Sequence, residues 1–183
     1  MGILLAFAPF IAFAILDAAV GSLAGLAAGA LVSLGLVARD LLSPGRTPKI
    51  LEIGTALLFC ALLAYALVAH PAWSVIGVRL CVDAGLLAIV LASMALGRPF
   101  TLQYAREQVA PELHASPVFL RTNYVITGAW ALAFAAMAAA EAALLFVPGM
   151  PHRLGVFVIV AALVAAIRFT GWYPDRVRRR VGA

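Results

Sequence analysis

Residues 21–49 read GSLAGLAAGALVSLGLVARDLLSPGRTPK, and this stretch decides the fold. It carries no charged side chain before Arg39, and roughly 20 consecutive apolar residues are enough to cross a membrane as a helix. The helix-breaking segment 43–45 then separates Arg46 and Lys49 from the apolar run. Long apolar runs that alternate with short basic connections predict an all-α, polytopic transmembrane helical bundle.

The composition supports the same fold class. Hydrophobic residues make up 65% of the 183-residue chain and charged residues 11%, and the mean hydropathy is +1.07. Soluble domains contain roughly 45–50% apolar residues, so lipid must solvate most of this surface. The net charge of +5 comes mainly from short segments between apolar runs. That distribution indicates membrane topology and not a nucleic-acid-binding face.

We expect six spans in a single transmembrane domain, residues 1–183. The first apolar run is about as long as the core of a signal peptide, but no Lys or Arg precedes it, so we interpret it as a retained span. The predicted spans are residues 3–20, 21–42, 50–68, 72–96, 117–147 and 154–172, followed by a basic cytoplasmic tail at residues 173–183.

The connections between spans alternate in charge. Arg residues follow the second, fourth and sixth spans, whereas the opposite connections carry only Arg153. By the positive-inside rule the even-numbered spans end in the cytoplasm, which places both termini there. The abundance of Arg, Ala and Leu favours a bacterial source. We therefore expect a multi-pass protein of the bacterial inner (plasma) membrane, in contact with the lipid bilayer and with anionic lipids at its cytoplasmic face.

Small residues recur every four positions along the second span. They form the small-residue stripe, which lies on one face of the helix and lets a neighbouring helix approach closely. Ordinary packing within the chain is one interpretation, and a homodimer seam or a backbone-lined path is the alternative. The stripe consists of Gly21, Gly25, Gly29 and Ser33.

Ionisable residues lie within or at the edges of the predicted spans. A charge at mid-bilayer costs about 3 kcal/mol on insertion scales, so such groups need partners or water. Four of them fall in the outer half of the predicted bundle: Asp17, Arg79, Asp83 and Glu141. Arg79 and Asp83 are four residues apart and can pair on one helix face. The set predicts either a structural ion network, which Asp17 or Glu141 would complete, or a solute or proton pathway. Glu52 is different, because it lies at the cytoplasmic start of its helix, where it can reach basic residues of the connection.

The longest connection follows the fourth span. In it Leu102, Ala105 and Val109 share one helical face, which predicts a short helix lying in the membrane interface. Simple anchoring to the membrane and docking of a cytoplasmic or membrane partner are both open. The second interpretation makes this region a cytoplasmic interface motif.

The sequence contains no recognisable catalytic, metal or cofactor motif. Cys60 and Cys81 each sit alone in an apolar run, and the three His residues occur singly in connections. Nothing resembles a nucleophile elbow, a phosphate-binding glycine loop or a zinc-binding helix. We therefore expect no enzyme activity, no metal and no cofactor.

The order of segments carries a family resemblance. A Pro-containing first span and a basic hairpin come before a Gly-Arg-Pro-Phe segment, a Tyr-Ala-Arg-Glu helix and a Trp-Ala-Leu-Ala-Phe stretch. In this layout the chain resembles the intracellular septation protein A family along nearly its whole length. The residues of the predicted cytoplasmic interface motif are Arg98, Pro99, Phe100, Tyr104, Arg106, Glu107, Asn123 and Trp130.

The resemblance implies a function. It implies a non-enzymatic inner-membrane protein of cell-envelope maintenance and septation that acts through membrane-protein partners. The chain departs from the family's usual pattern in the Ala-rich fifth span carrying Glu141 and in Asp83 within the fourth span. These departures keep open the alternative of a small-solute or ion transporter or channel with a polar path through Arg79, Asp83 and Glu141.

Overall fold

The computed structural model describes residues 5–181, and those residues contain helices and no strands. The all-helical prediction is confirmed for this part of the chain. A 3₁₀ turn at Pro111–Leu113 precedes the sixth α-helix. The α-helices are α1 (Ala8–Ala19), α2 (Ser22–Leu42), α3 (Ile50–Ala69), α4 (Val75–Ala95), α5 (Phe100–Arg106), α6 (Pro117–Phe146) and α7 (His152–Val181).

Five of these helices, α2, α3, α4, α6 and α7, are long and apolar enough to cross a membrane. The described part of the first predicted span is shorter, because α1 has 12 residues. Residues 3 and 4 of that span lie outside the described residues. The outer surfaces of the long helices are apolar: Leu31, Val68, Leu132 and Phe157 are among the largely exposed side chains. Exposed apolar surface of this extent is compatible with a multi-pass membrane protein.

Local chemistry explains where α3 begins and ends. At its start the backbone N–H of Lys49 donates to Glu52 Oε2 at 3.3 Å, which satisfies a donor that the helix leaves unpaired. At its end His70 adopts a left-handed conformation with φ of 43°, and Pro71 follows. A left-handed residue followed by Pro terminates a helix, because Pro cannot continue it.

The chain divides into two compact units, Met1–Ile89 and Val90–Ala183. In the first unit α2 packs against both α1 and α3. Its core contains aromatic rings from α1 and α3, with Phe13 and Phe59 at 5.7 Å between centroids. Leu26 of α2 and Val82 of α4 complete this core.

In the second unit α6 packs along α7, and α5 packs on α6. The core of this unit holds Trp130 and Phe134, whose ring centroids are 5.5 Å apart. The indole Nε1–H of Trp130 donates to Thr170 Oγ1 on α7 at 2.9 Å. This bond ties the middle of α6 to the second half of α7 and satisfies a buried donor.

Two helices differ from the sequence prediction. α5 ends at Arg106, so Val109, which was predicted to share its apolar face, lies beyond the helix. α7 continues nine residues past Trp172, the predicted end of the last span, with Pro174 inside it. The extension is favourable because three Arg residues lie in its last turn, where cations interact well with the helix dipole. The predicted basic tail is therefore helical as far as Val181.

Candidate functional site

An ionic cluster joins the end of α2 to the start of α3. It contains three cations and two carboxylates, namely Arg39, Asp40, Arg46, Lys49 and Glu52. Asp40 is fully buried, and Lys49 and Glu52 are nearly so. Buried charges persist only when they are paired or hydrogen-bonded. The ion pairs of this cluster therefore stabilise the α2–α3 connection.

Asp40 is the centre of the ionic cluster. Its Oδ1 accepts from Arg39 Nε at 2.8 Å and lies 2.7 Å from Arg39 Nη2. Arg46 Nη1 is 3.6 Å from the same oxygen, and Lys49 Nζ is 3.5 Å from Oδ2. Three cations around one buried carboxylate tie the end of α2 to the connection and to the start of α3.

Glu52 links the cluster to the start of α3. Its Oε1 lies 3.9 Å from both Lys49 Nζ and Arg39 Nη2, while Oε2 accepts the backbone N–H of Lys49. The sequence predicted that Glu52 could reach basic residues of the connection, and the structure places it among them. Asp40 was not predicted as a site residue. The signal was present, since an acid follows Arg39 at the end of an apolar run and more basic residues come after the turn.

A second ionic site lies in the same unit. Arg79 of α4 donates from Nε to Asp17 Oδ2 of α1 at 2.7 Å, and its Nη2 lies 2.6 Å from the same oxygen. Ser22 Oγ donates to Asp17 Oδ1 at 2.7 Å. The Asp17 carboxylate therefore has charged or polar partners on both oxygens, and two of the four residues of the predicted network are brought together.

The other two acidic residues of the predicted network are buried in helices. Asp83 lies one turn after Arg79 on α4, and Glu141 lies near the end of α6. Asp83 belongs to the first unit and Glu141 to the second.

The small-residue stripe is a helix-packing surface within the chain at two of its four positions. A Cβ on Gly25 would lie 2.9 Å from both Asp17 Cβ and Phe13 O of α1. A Cβ on Gly29 would lie 2.5 Å from the ring of Phe59 on α3. α2 therefore uses successive glycines to approach both neighbours, as the packing interpretation predicted.

The outer two positions of the stripe behave differently. Ser33 is buried and donates to the backbone oxygen of Ala30 at 2.9 Å. Gly21 precedes the helix with φ of 128°, and nothing lies within 4 Å of a Cβ placed there. Its glycine is needed for the backbone turn between α1 and α2, because residues with a side chain rarely adopt this φ. The predicted packing role of Gly21 is therefore replaced by a conformational one.

Sequence reasoning missed a second close contact, between α3 and α4. A Cβ on Gly54 would lie 2.7 Å from Ile89, and one on Gly85 would collide with the side chain of Leu58. Gly54 is the only glycine of α3, and α4 has only Gly77 and Gly85, eight residues apart, so no run of closely spaced glycines marked either position. The contact depends on which helices are neighbours, and the spacing of residues along one helix does not carry that information.

The predicted cytoplasmic interface motif separates into a buried and an exposed part. α5 turns its large side chains into the protein, including Leu102 of the predicted apolar face. Arg98, Arg106 and Glu107 are exposed. The buried members are Pro99, Phe100, Tyr104, Asn123 and Trp130.

Hydrogen bonds fix α5 on α6. Thr101 Oγ1 donates to the backbone oxygen of Asn123 at 3.0 Å and lies 2.8 Å from Thr127 Oγ1. The Phe100 backbone N–H donates to Ser93 Oγ at 3.1 Å. Thr101 and Thr127 were not predicted as site residues, because single Thr residues in apolar helices carry no distinctive pattern. The exposed charges of the motif are consequently carried by a helix that is packed and hydrogen-bonded to its neighbours.

An open cleft lies in the second unit beside α5. Its volume is about 860 Å³, and its walls come from the chain after α5, the first turns of α6 and the last turns of α7. Phe119, Ile126 and Val177 contribute apolar surface, and Arg178 lines it at the end of α7. Glu141 is not part of the lining.

Among the described residues, no group of three His, Cys, Asp or Glu side chains is arranged to hold a metal ion. Cys60 and Cys81 are half-buried, and neither forms a disulfide. His114 is held by its own connection, with Nε2 2.9 Å from the backbone oxygen of Val109.

Comparison of the chain with protein-family models, with curated proteins and with solved structures found no match in any of the three.

Proposed function

We propose that the chain is a multi-pass protein of the bacterial inner membrane, with six spans and both termini in the cytoplasm. It takes part in cell-envelope maintenance and septation by binding membrane-protein partners and not by catalysis. The resemblance to the intracellular septation protein A family supports the process. The positive-inside pattern of the connections supports the orientation.

The observation that carries the proposal is that the exposed charges of the interface motif lie on a helix, α5, that is packed and hydrogen-bonded to its neighbours. Phe100 and Tyr104 are almost inaccessible, and Thr101 is hydrogen-bonded to α6. Arg106 and Glu107, at the end of α5, are exposed. A charged surface that is already rigid loses little conformational entropy when a partner binds, which favours recognition.

In-cell photo-crosslinking tests the proposal. A photo-reactive amino acid replaces Arg106, and the matched control replaces Arg153, an exposed Arg near the start of α7. We expect the Arg106 position to capture an envelope-synthesis or division protein that the Arg153 position does not capture. Recovery of no such protein, or of the same proteins from both positions, would overturn the proposal.

A second candidate function is a transporter or channel with a polar path through Arg79, Asp83 and Glu141. The observation in its favour is that Asp83 and Glu141 are buried acidic residues within apolar helices. Such residues are expensive in a membrane and often mark an ion or proton route.

Flux measurements in proteoliposomes test this second function. With a pH-sensitive dye inside the vesicles, transport predicts proton flux that Asp83→Asn and Glu141→Gln both reduce. The control is Glu112→Gln, at an exposed residue of the 3₁₀ turn. Flux that is equal to that of empty vesicles, or that survives both substitutions, would exclude protons as the transported species.

A further inference from the structure

The open cleft of the second unit has the size of a small-molecule site. Binding sites for drug-sized ligands range from roughly 300 to 1,000 Å³, and this cleft measures about 860 Å³. Three separate segments build it: the connection after α5, the first three turns of α6 and the last turns of α7.

Several polar side chains in the wall of the cleft already use hydrogen-bond donors within the protein. Thr122 Oγ1 donates to the backbone oxygen of Val118 at 2.7 Å, and Asn123 Nδ2 donates to that of Phe119 at 2.9 Å. Thr170 Oγ1 donates to Ala166 O while accepting from Trp130. Because these donors are already used inside the protein, the cleft presents mainly hydrocarbon and aromatic surface. An apolar chain fits such a wall better than water does.

α7 leaves the space open at one residue in particular. Gly171 lines the cleft, and nothing lies within 4 Å of a Cβ placed on it. One turn later Pro174 also lines the cleft, with no N–H that it could donate to the carbonyl of Thr170. Gly171 therefore keeps side-chain bulk out of the cleft, and Pro174 removes one hydrogen-bond donor from its wall.

The cleft is basic where it reaches the end of α7. Arg178 lines it, and its ion pair with Asp175 at 2.6 Å is exposed, so water and other anions can compete for the guanidinium. The four arginines of this end of α7 greatly outnumber its one aspartate: Arg176, Arg178, Arg179 and Arg180.

Aromatic residues next to this basic end indicate its depth. Trp172 is half exposed, and the guanidinium carbon of Arg176 lies 5.2 Å from the centroid of its ring. Tyr173 stacks on Phe169 with ring centroids 5.0 Å apart. Trp and Tyr concentrate at the headgroup level of membranes, which places this end of the cleft where lipid phosphates lie.

We propose that this cleft binds a single anionic phospholipid, with an acyl chain along Phe119, Ile126 and Gly171 and the phosphate at Arg178. Charge complementarity selects the ligand, because the cytoplasmic leaflet supplies anionic lipid and Arg is well suited to phosphate. This inference depends on membrane placement and is independent of any role in septation.

Native mass spectrometry of the purified full-length protein tests the inference. The detergent-solubilised protein is incubated with phosphatidylglycerol or, separately, with phosphatidylcholine. We expect one phosphatidylglycerol per chain to be retained. Phosphatidylcholine should bind about tenfold more weakly, because a charge-assisted contact to phosphate remains but the favourable net charge is lost.

Two variants separate the acyl chain from the headgroup. Gly171→Leu places a side chain in the proposed path of the acyl chain and should lower retention of both lipids about tenfold. The matched control is Gly128→Leu on α6, where a Cβ also meets nothing and which does not line the cleft. Arg178→Gln should reduce phosphatidylglycerol binding to the level of phosphatidylcholine, whereas Arg153→Gln should leave the preference intact.

Equal binding of the two lipids by the unchanged protein would overturn the inference. So would full retention of phosphatidylglycerol by a folded Gly171→Leu variant, or several weakly held lipids per chain in place of one. Thermal unfolding compares Gly171→Leu with Gly128→Leu. If Gly171→Leu does not fold, the decision rests on Arg178→Gln, whose unchanged lipid preference would reject the proposed phosphate contact.

Discussion

At the scale of single residues, Asp17 and Asp40 show how apolar helices accommodate buried carboxylates. Asp17 is shared between Arg79 of a distant helix and Ser22 of the next one. Asp40 takes its partners from its own neighbour Arg39 and from the connection that follows. In both cases the acid joins chain segments, because an unpaired charge in an apolar environment would be neutralised or would take in water.

The first prediction concerns the Asp17–Arg79 ion pair. Asp17→Asn leaves Arg79 without its carboxylate partner, and breaking a buried pair typically costs 3–5 kcal/mol. Because one third of the Arg79 side chain is exposed, we expect a smaller loss of unfolding free energy, about 2 kcal/mol. Unfolding of the purified protein by denaturing detergent, followed by circular dichroism, measures it.

A double-mutant cycle separates this ion pair from general effects of substitution. Asp17→Asn combined with Arg79→Gln should be less destabilising than the sum of the single changes, by about 1 kcal/mol. The control is Asp175→Asn, which removes the exposed partner of Arg178 and should change little. Strict additivity of the two changes at Asp17 and Arg79 would show that the pair does not stabilise the fold.

The second prediction concerns Asp40, the centre of the ionic cluster. Asp40→Asn leaves the buried Lys49 with only the more distant Glu52 as a partner among the contacts of the cluster. We expect a loss of about 3 kcal/mol in unfolding free energy, as for other buried pairs broken on one side. Glu112→Gln, at an exposed acid, serves as the control and should stay within about 0.5 kcal/mol. Equal stability of the two variants would contradict the structural role of Asp40.

At the scale of helices, hydropathy predicted most boundaries. The length of an apolar run and the position of helix-breaking residues can both be read from neighbouring residues in the sequence. The third predicted span, residues 50–68, corresponds to Ile50–Ala69, and the fifth, residues 117–147, to Pro117–Phe146. α7 extends beyond the last predicted span because a drop in hydropathy after Trp172 ends a span but does not end a helix. The sequence predicted a short helix after the fourth span, but it did not reveal that Phe100 and Tyr104 of α5 are buried in the protein.

The candidate sites were predictable to a smaller extent, and for a related reason. The residue type identified Asp17, Arg79 and Glu52 as groups that need partners, but the choice of Asp17 as the partner of Arg79 depends on how α1 and α4 are placed. The four-residue spacing identified Gly25 and Gly29. It also included Gly21, since spacing alone does not distinguish a turn glycine from a packing glycine.

The third prediction compares two glycines on α2. A Cβ on Gly29 would lie within 2.5–2.9 Å of the Phe59 ring, whereas one on Gly35 meets nothing within 4 Å. Gly29→Ala should destabilise the protein by roughly 1–3 kcal/mol, as overpacked sites do. Gly35→Ala should stabilise it by up to about 1 kcal/mol, because Ala favours the helix. The same unfolding measurement applies, and opposite signs for the two variants are the expected result.

If both alanine variants are stabilising, then α2 and α3 do not approach closely at Gly29. If both are destabilising, then the glycines of α2 serve some purpose other than this helix contact. Only the opposite signs agree with close packing that is confined to one face of the helix.

At the scale of the whole molecule, the number of spans determines on which side each terminus lies. Five helices have the length and hydropathy to cross a membrane, and α1 is a shorter apolar helix of 12 described residues. An even number of spans leaves both termini on one side, and an odd number places them on opposite sides. The proposed orientation places the C-terminal end of α7 in the cytoplasm, because its last turn carries three Arg residues and the positive-inside rule favours that side for them.

The fourth prediction follows from this parity. A reporter that is active only in the cytoplasm is fused in turn to the N-terminus, to the connection at Gly45 and to the C-terminus. If α1 crosses the membrane, all three fusions are active, since an even number of spans separates each pair of positions. If α1 lies along the surface, the N-terminal fusion alone becomes inactive. A fusion at Gly149, between α6 and α7, is the inactive control in both cases. Activity at Gly149 would contradict the orientation itself, because α7 would then carry its arginines to the outer side of the membrane.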